Sequence, residues 1–180
     1  MLDSSSSILR IQVNYVQRTM AKSKRSLIRL LQQDGILDPW QYIRFYSLRS
    51  HCVMPLTQTP VQEMIYIHSK CMIVDDTHVI LGSANINDRS MLGSRDHETG
   101  VLITQTASGD LMDLKLASGH RVRVSKLVHA FRTELMMEHF GVPYDQVKDQ
   151  LSSHQLLAQI ATKNSQAFFK IFKCEPDSSI

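Results

Sequence analysis

The sequence IYIHSKCMIVDDTHVILGSANIN, residues 65–87, contains two apolar runs with the length and composition of buried β-strands. The first run carries His68 and Lys70 two residues apart, and the second ends in Ser83 and Asn85 at the same spacing. Side chains two residues apart in a strand point to the same face of its sheet. If the two strands lie side by side, one surface therefore carries an imidazole, an ammonium, a hydroxyl and an amide.

These four polar groups suit an anionic substrate. Lys70 offers a compact cation, and Ser83 and Asn85 offer neutral hydrogen-bond donors. His68 can attack a substrate or transfer a proton near neutral pH. A phosphoryl group fits this set better than other common substrates, because its transition state spreads negative charge over several oxygens. Gly82, next to the serine, leaves room for close approach of a neighbouring backbone.

Each of these residues also has a plainer explanation. A single histidine in a strand is most often a hydrogen-bonded structural residue, and a single strand lysine often blocks a sheet edge. The combination favours a functional site. A metal site would draw on His68, Asp75, Asp76, His78 and His97. No pair of these has the HxxxH spacing of a helical zinc site, and a nearby lysine would repel a cation, so we expect neither a metal nor another cofactor.

Length and composition indicate a globular protein. The chain has 180 residues, 43% hydrophobic and 21% charged, which argues against disorder and against a fibrous fold. A net charge of +3 is too small to establish nucleic-acid binding by itself, and we expect no nucleic-acid partner. A cluster of four basic residues fits the solvated face of a helix. The alternative is that this cluster contacts an anionic lipid surface. Its members are Lys22, Lys24, Arg25 and Arg29.

Further sequence features bear on the cellular compartment. No apolar run approaches the roughly 18 residues that would suggest a membrane span, and the first residues, MLDSSSSILRIQ, lack the pattern of a signal peptide. Cys52, Cys71 and Cys174 are odd in number and widely spaced, which argues against a disulfide framework and a CxxC metal site. We therefore expect a cytoplasmic protein with reduced cysteines.

The remaining sequence alternates between strand and helix patterns, which favours an α/β layered domain. A strand-like run is followed by helical spacing that ends before Gly35, and a later helical stripe stops near Gly141 and Pro143. The predicted strands cover 8–16, 41–51, two segments within 65–87, and 98–104. The predicted helices cover 17–33, 124–135 and, more weakly, 156–168, and the segment 54–60 is predicted to be a loop. The predicted fold is a mixed sheet flanked by helices.

The polar residues follow a specific pattern. His68, Lys70 and Asp75, followed by GSAN over residues 82–85, resemble the HxKxxxxD and GSxxN signature of the phospholipase D superfamily. The longer segments YIHSKCMIVDD and GSANINDRSMLGSRDHE resemble the second of two such motifs in eukaryotic phosphatidylcholine-hydrolysing phospholipases D. A weaker similarity extends through QYIRFYSLRSH upstream and FKCEPD downstream.

The resemblance implies a fold and a division of the chain. The superfamily fold is a mixed sheet between helices, built twice and joined at one active site, and this chain would be its C-terminal half. Residues 1–141 would form the catalytic half-domain, with its motif at 68–85. Residues 142–180 would form a C-terminal helical extension.

The resemblance also implies an activity, the hydrolysis of phosphatidylcholine to phosphatidic acid and choline at a membrane surface without a catalytic metal. Two histidines from two motifs would act, one forming a phosphohistidine and the other protonating the leaving alcohol and activating water. As part of the second motif, His68 would be this acid and base. The other roles implied are phosphate binding by Lys70 and Asn85 with support from Ser83, orientation of the histidine by Glu98, and structural roles for Asp75 and Gly82.

The first motif is missing, because His68 is the only histidine in the 180 residues that is followed by a lysine two positions later. The chain could be a fragment, a truncated gene model, or a single-motif protein that pairs with another chain to complete its site. Two other functions stay open. One is a dimeric nuclease of the same superfamily, and the other is a catalytically inactive chain that binds anionic lipid or a partner.

Overall fold

The structure is a computed structural model that describes residues 11, 14–105 and 107–173. The chain forms two compact units. One comprises the described residues of Met1–Ile65 and Ala158–Ile180, and the other comprises Tyr66–Leu157. Within the described residues, no helix is both long and apolar enough to cross a membrane.

The first unit begins with helical segments. Helix α1, Leu27–Gln33, starts where the Ser26 side chain accepts a hydrogen bond from the Arg29 main chain, and Gly35 follows it at φ +92°. The predicted helix over 17–33 is interrupted, because a π-helical turn, Arg18–Lys22, ends at Ser23 in an extended conformation. The four basic residues predicted to be solvated are all exposed.

The strand predicted over 8–16 is wrong where the structure describes it, since residues 11 and 14–16 are helical. The rest of that segment lies outside the described residues. A short apolar run cannot be assigned to strand or helix from periodicity alone, and here the chain continues directly into the π-helical turn.

The first unit also contains a β-hairpin. Strands β1, Arg49–Val53, and β2, Pro60–Met64, pair antiparallel. The strand predicted over 41–51 is therefore confirmed only at its end, and the predicted loop over 54–60 forms the turn as far as residue 59. β2 was not predicted. Arg49 and His51 of β1 both contact the ring of Phe168. The Arg49 Cζ lies 5.6 Å from the centroid of that ring, and the centroid of the His51 ring also lies 5.6 Å from it.

The second unit is built on a three-stranded antiparallel sheet. Its strands are β3, Lys70–Val74, β4, His78–Gly82, and β5, Gly100–Thr104, in the order β3-β4-β5. These are the strands predicted within 65–87 and over 98–104. One face of the sheet includes the buried Val79, whereas Met72, Val74, Ile80 and Leu102 on the other face are exposed.

A second hairpin and three helices complete this part of the chain. Strands β6, Leu111–Lys115, and β7, Arg121–Ser125, pair antiparallel and were not predicted. Helix α3, Lys126–Phe140, confirms the predicted helix and ends at Gly141 with φ +63°. Helix α4, Tyr144–Val147, is short, and helix α5, Gln150–Phe172, continues into the first unit. The buried apolar side chains of the second unit are Val79, Val124, Val128, Val147 and Leu157.

The predicted α/β class is confirmed. In the part of the chain that the structure describes, the strands form three small antiparallel sheets of two, three and two strands. The division into residues 1–141 and 142–180, and the position of the chain as the C-terminal half of a larger fold, stay predictions.

Candidate active site

The candidate residues meet at one end of the three-stranded sheet. Antiparallel pairing brings the start of β3, the end of β4 and the start of β5 to the same end of the sheet, where Lys70 pairs with Gly82 and Gly82 pairs with Gly100. His68 lies two residues before β3, and Glu98 lies two residues before β5. The antiparallel pairing of the three strands therefore places these residues near one another, which their spacing in the sequence alone would not do.

His68 and Lys70 lie closer to the end of the sheet than the sequence suggested. The expected shared face required a strand through both residues, but β3 begins at Lys70. The Lys70 ammonium donates to the main-chain carbonyl of His68 at 2.7 Å, so the lysine head lies next to the histidine main chain. The ring of His68 is exposed and lies 6.1 Å from the ring of Tyr66, centroid to centroid.

Gly82 ends β4 at a point where no side chain fits. A Cβ placed there would lie 2.7 Å from the main-chain oxygen of Thr99 and 3.1 Å from the Cα of Gly100. The close approach of β4 to the chain entering β5 therefore requires glycine, in agreement with the interpretation of Gly82 from the sequence. This approach also sets the position of the next residue, Ser83.

Ser83 and Glu98 are directly hydrogen-bonded. The Ser83 hydroxyl donates to Glu98 Oε2 at 2.5 Å and accepts from the Thr99 main-chain N–H at 3.1 Å. The Ser83 main-chain N–H in turn donates to the Thr99 carbonyl at 3.0 Å. Hydrogen bonding by Ser83 and then by Ser90 lowers the pKa of Glu98, with a smaller contribution from the charge of Lys70, and outweighs the opposing effects of desolvation and of the Asp96 charge. Glu98 is thus held as a carboxylate.

Asn85 lies in the segment between β4 and helix α2, Asp88–Met91. Its main-chain N–H donates to the Ser90 hydroxyl at 3.1 Å, and the Ser90 N–H donates to Asn87 Oδ1 at 3.1 Å. Ser90 was not singled out from the sequence, although it stands in the segment GSANINDRS that the family resemblance covered. The sequence feature that indicates Ser90 is its position three residues after Asn87, the residue that caps the helix.

The structure does not bring every predicted contact together. The resemblance predicts that Glu98 holds the second ring nitrogen of His68, but the Glu98 side chain accepts its hydrogen bond from the Ser83 hydroxyl. Among the described residues, the His68 ring makes no hydrogen bond. The residues considered for a metal are also dispersed, since His68 precedes β3 whereas Asp75 and Asp76 follow it. Within the described part of the chain, no group of three or more His, Cys, Asp or Glu side chains is arranged to hold a metal ion.

The two aspartates in the β3–β4 turn differ sharply. Both have positive φ, +51° for Asp75 and +53° for Asp76, but Asp75 is exposed and Asp76 is 2% exposed. Arg132 of α3 donates to both Asp76 oxygens, from Nε at 2.6 Å and from Nη2 at 2.9 Å. His129 Nδ1 lies 2.7 Å from the same carboxylate, and the Gln150 amide donates to it at 2.9 Å.

This buried group, called here the Asp76 cluster, consists of Asp76, His129, Arg132 and Gln150. Burial acts to raise the pKa of Asp76, but the hydrogen bonds and charge of Arg132 and the hydrogen bonds of His129 and Gln150 outweigh it and lower the pKa. Arg132 also donates to the main-chain carbonyls of Val147 and Lys148, at 2.7 and 3.0 Å. The turn of the β3–β4 hairpin is therefore fixed to α3, α4 and the start of α5.

Comparisons with known proteins give a consistent result. The sequence profile of the family described as phospholipase D matches residues 38–176. The chain is 34% identical over 184 residues to phospholipase D zeta 1 of Arabidopsis thaliana and 34% identical over 173 residues to phospholipase D1 of Rattus norvegicus. It is 39% identical over 137 residues to phospholipase D1 of Schizosaccharomyces pombe.

The matched relatives are much longer than this chain. The three alignments cover 99%, 93% and 76% of the chain, but only 16%, 16% and 10% of the respective relatives. The chain therefore spans about a sixth of the length of the first two.

Proposed function

Because the chain belongs to the phospholipase D family, we propose that it supplies the second-motif half of a phospholipase D that hydrolyses phosphatidylcholine to phosphatidic acid and choline. One observation supports this above all, the arrangement of polar residues at the end of the sheet formed by β3, β4 and β5. A cation, neutral donors, a carboxylate and an imidazole at one edge meet the requirements of phosphodiester cleavage. These residues are His68, Lys70, Ser83, Asn85 and Glu98.

The reaction would consist of two displacements at phosphorus. In the first, a nitrogen of a histidine from another HxK motif bonds to phosphorus while the phosphorus–oxygen bond to choline breaks. His68 gives its proton to the departing choline oxygen. In the second, His68 takes a proton from water as the water oxygen bonds to phosphorus and the nitrogen–phosphorus bond breaks. Phosphatidic acid leaves and both histidines return to their starting states.

Lys70 and Asn85 would bind the non-bridging phosphate oxygens, with Ser83 in support. A localised ammonium and a neutral amide stabilise the charge that develops on these oxygens, and they need no metal ion to do so. Asp75 and Gly82 would act structurally, through the turn and the close strand approach.

Glu98 would orient the imidazole of His68 and stabilise its protonated form. A carboxylate has about four lone-pair sites, and the Ser83 hydroxyl uses only part of them. The Glu98 side chain can therefore accept a further hydrogen bond from the histidine ring while it keeps the serine donor.

The second histidine would come from a first-motif half, in the same longer polypeptide or in another chain, because residues 1–180 hold a single HxK sequence. The substrate is a membrane lipid, so the protein would act as a peripheral protein on the cytoplasmic side of a membrane. We propose no nucleic-acid partner, since the net charge is only +3.

A reconstitution assay tests this function. The purified chain, alone and mixed with a separate chain that carries a first HxKxxxxD motif, is given phosphatidylcholine vesicles and DNA in parallel. We expect no lipid turnover by the monomer, which lacks one of the two histidines, and turnover in the mixture. A primary alcohol should divert product from phosphatidic acid to the phosphatidylalcohol.

Three results would contradict the proposal. Robust turnover by a chain shown to be monomeric during the assay would mean that one histidine suffices. Cleavage of DNA without cleavage of lipid would identify a nuclease of the same family. Sedimentation with vesicles but no turnover in any mixture would identify a lipid-binding chain without catalysis.

A further inference from the structure

The stretch of residues 18–29, called here the basic segment, carries a charge that the rest of the chain does not share. It holds five basic residues and no aspartate or glutamate. The whole chain has 20 basic and 17 acidic residues, so the remainder of the chain has a net negative charge. The positive net charge of the protein is therefore concentrated in one short stretch of the first unit. The basic residues are Arg18, Lys22, Lys24, Arg25 and Arg29.

These five side chains are exposed, and their charges are not neutralised within the first unit. The Lys22 ammonium donates to Gln17 Oε1 at 2.8 Å, and Arg29 Nη1 donates to Gln32 Oε1 at 3.2 Å. Both acceptors are neutral amides. Within the described residues, none of the five basic side chains forms an ion pair with a carboxylate. The basic segment therefore presents a positive surface that attracts a polyanion.

Apolar side chains are exposed beside these charges. Helix α1 is buried at Ile28, whereas Leu27 and Leu30 are exposed. Residues three apart in a helix are neighbours on its surface, so the two leucines form one exposed apolar spot. Tyr15 and Val16, in the helical residues before the basic segment, are exposed as well. Cations and apolar groups thus share one short stretch of chain.

This combination fits a lipid bilayer better than a nucleic acid. An anionic bilayer offers charged headgroups at its surface and acyl chains directly below them, so it can meet both the cations and the leucines. A nucleic-acid duplex would meet only the cations, because its phosphates lie outside and its bases are stacked inside.

We propose that the basic segment, together with Leu27 and Leu30, is a docking surface for an anionic lipid bilayer. The cations would lie among the headgroups, and the two leucines would reach the boundary with the acyl chains. The inference goes beyond the proposed reaction, since none of these residues takes part in it.

Vesicle sedimentation of the full chain tests the inference. One kind of vesicle consists of phosphatidylcholine alone, and the other of equal parts of phosphatidylcholine and phosphatidylserine. Lys24→Gln with Arg25→Gln removes two charges from the basic segment. Arg121→Gln with Arg123→Gln is the matched control, because it removes the same two charges from exposed residues of β7, where Arg123 lies opposite Asp113. Lys24→Arg with Arg25→Lys keeps both charges.

The wild type should bind the vesicles that contain phosphatidylserine more tightly than those of phosphatidylcholine alone. Each basic residue near an anionic surface strengthens binding about fivefold, so Lys24→Gln with Arg25→Gln should weaken it about 25-fold. The control pair should weaken it by less than about twofold. Lys24→Arg with Arg25→Lys should bind like the wild type, because a lipid surface responds to charge and not to the shape of the donor.

Salt and the two leucines separate the electrostatic from the apolar contribution. Raising NaCl from about 0.1 M to about 0.5 M should weaken wild-type binding and reduce its advantage over Lys24→Gln with Arg25→Gln, because the charges are screened. Leu27→Ala with Leu30→Ala should weaken binding several-fold at both salt concentrations, since apolar burial is not screened. Thermal unfolding of every variant should match the wild type, as expected for exposed positions.

Four results would overturn the inference. They are equal binding of the wild type to both kinds of vesicle, equal weakening by the two glutamine pairs, and loss of binding when both charges are kept, which would indicate a partner that recognises side-chain shape. The fourth is weaker binding of a DNA duplex with unchanged vesicle binding in Lys24→Gln with Arg25→Gln, which would identify a nucleic-acid surface. Vesicle binding through the basic segment without turnover in the reconstitution assay would support this inference and overturn the proposed function alone.

Discussion

The two ends of the β3–β4 hairpin hold polar side chains in opposite ways. At the end where β3 begins, His68 is exposed and Lys70 and Glu98 are half-buried; Lys70 donates to the His68 main-chain carbonyl, and Glu98 accepts from the Ser83 hydroxyl. At the turn, Asp76 is 2% exposed and each of its carboxylate oxygens has two polar partners. Oδ1 accepts from Arg132 and Gln150, and Oδ2 is bound to Arg132 and His129.

The polar side chains at the first end serve the reaction, and those at the second end serve the stability of the fold. Groups that must contact a substrate have to be accessible to it, and accessible groups are poorly fixed by their own hydrogen bonds. The Asp76 cluster fixes the same hairpin from its far end, about 17 Å away along a five-residue strand. Changes to the polar side chains at the first end should therefore reduce the reaction rate and leave stability nearly unchanged, and changes to those at the second end should do the reverse.

The largest expected effect is on rate, at Lys70. In the chain reconstituted with a first-motif half, Lys70→Ala should lower the rate of lipid hydrolysis by about 100- to 1,000-fold, because a charge that stabilises the transition state is lost. Lys70→Arg should be nearly as inactive, since the planar guanidinium cannot replace a localised ammonium. Initial rates on phosphatidylcholine vesicles provide the measurement.

Urea unfolding of the same Lys70 variants provides the control. Both should keep the wild-type free energy of unfolding to within about 0.5 kcal/mol, as expected for a surface substitution. If Lys70→Arg retained more than about a tenth of the activity, a loss worth about 1.4 kcal/mol, the role of Lys70 would be that of a nonspecific charge.

The next effect is on stability, at Asp76. Asp76→Asn keeps the side-chain shape but leaves the buried Arg132 without its counter-charge, so the free energy of unfolding should fall by about 3 kcal/mol. Asp75→Asn is a matched control, because the neighbouring aspartate has nearly the same φ but is exposed. It should change stability by less than about 0.5 kcal/mol.

Urea unfolding monitored by circular dichroism distinguishes the two variants. Equal losses in Asp75→Asn and Asp76→Asn would mean that the turn conformation, and not the Asp76 cluster, stabilises the hairpin. An unaltered unfolding midpoint in Asp76→Asn would remove the basis for the contrast between the two ends.

The residues at the first end, where β3 begins, were predictable from the sequence because the pattern that reveals them is local. His68, Lys70, Ser83 and Asn85 lie within 18 residues, and the apolar runs between them predict the strands that carry them. The Asp76 cluster has no such signal, since Arg132 is 56 residues and Gln150 is 74 residues away along the chain. The sequence offers Asp76 only as a candidate metal ligand.

The β6–β7 hairpin was missed for a different reason. Its second strand reads RVRVS, a clear alternation, and ASG in the preceding segment is typical of a turn. Val124 instead fits the apolar stripe of the following helix, because it lies at helical spacing from Val128. The helix begins one residue after Ser125, whose side chain accepts from the Val128 N–H at 3.2 Å, and this cap marks the change of period.

A smaller stability effect is expected at Gly82, which lies at the same end as Lys70 but contributes main-chain packing and no polar side chain. Gly82→Ala places a Cβ 2.7 Å from the Thr99 oxygen, and separating the strands to relieve this overlap should cost about 1–3 kcal/mol. Gly100, its partner in the ladder, is the control, because a Cβ there lies 3.5 Å from the nearest atom, an ordinary contact. Thermal unfolding of the two variants checks this, and equal losses would contradict the role of the close approach.

The smallest effect is the pH dependence of the Asp76 contribution. The pKa of Asp76 is lowered in the folded state from its ordinary value of 3.8, so the carboxylate stabilises the fold fully above pH 3.8. As the pH falls below this value the unfolded chain takes up a proton first, and the stabilisation declines by at most about 1.4 kcal/mol per pH unit. It is lost once the pH falls through the lower folded-state pKa.

The difference in free energy of unfolding between the wild type and Asp76→Asn follows this group at acidic pH, because Asp149, whose pKa is also lowered, titrates equally in both proteins. The difference should shrink as the pH falls below 3.8. The corresponding difference for Asp75→Asn should stay near zero throughout. A gap between the wild type and Asp76→Asn that widened towards low pH would mean that the protonated form of Asp76 is the one the fold prefers, and that burial outweighs the hydrogen bonds from Arg132 and His129.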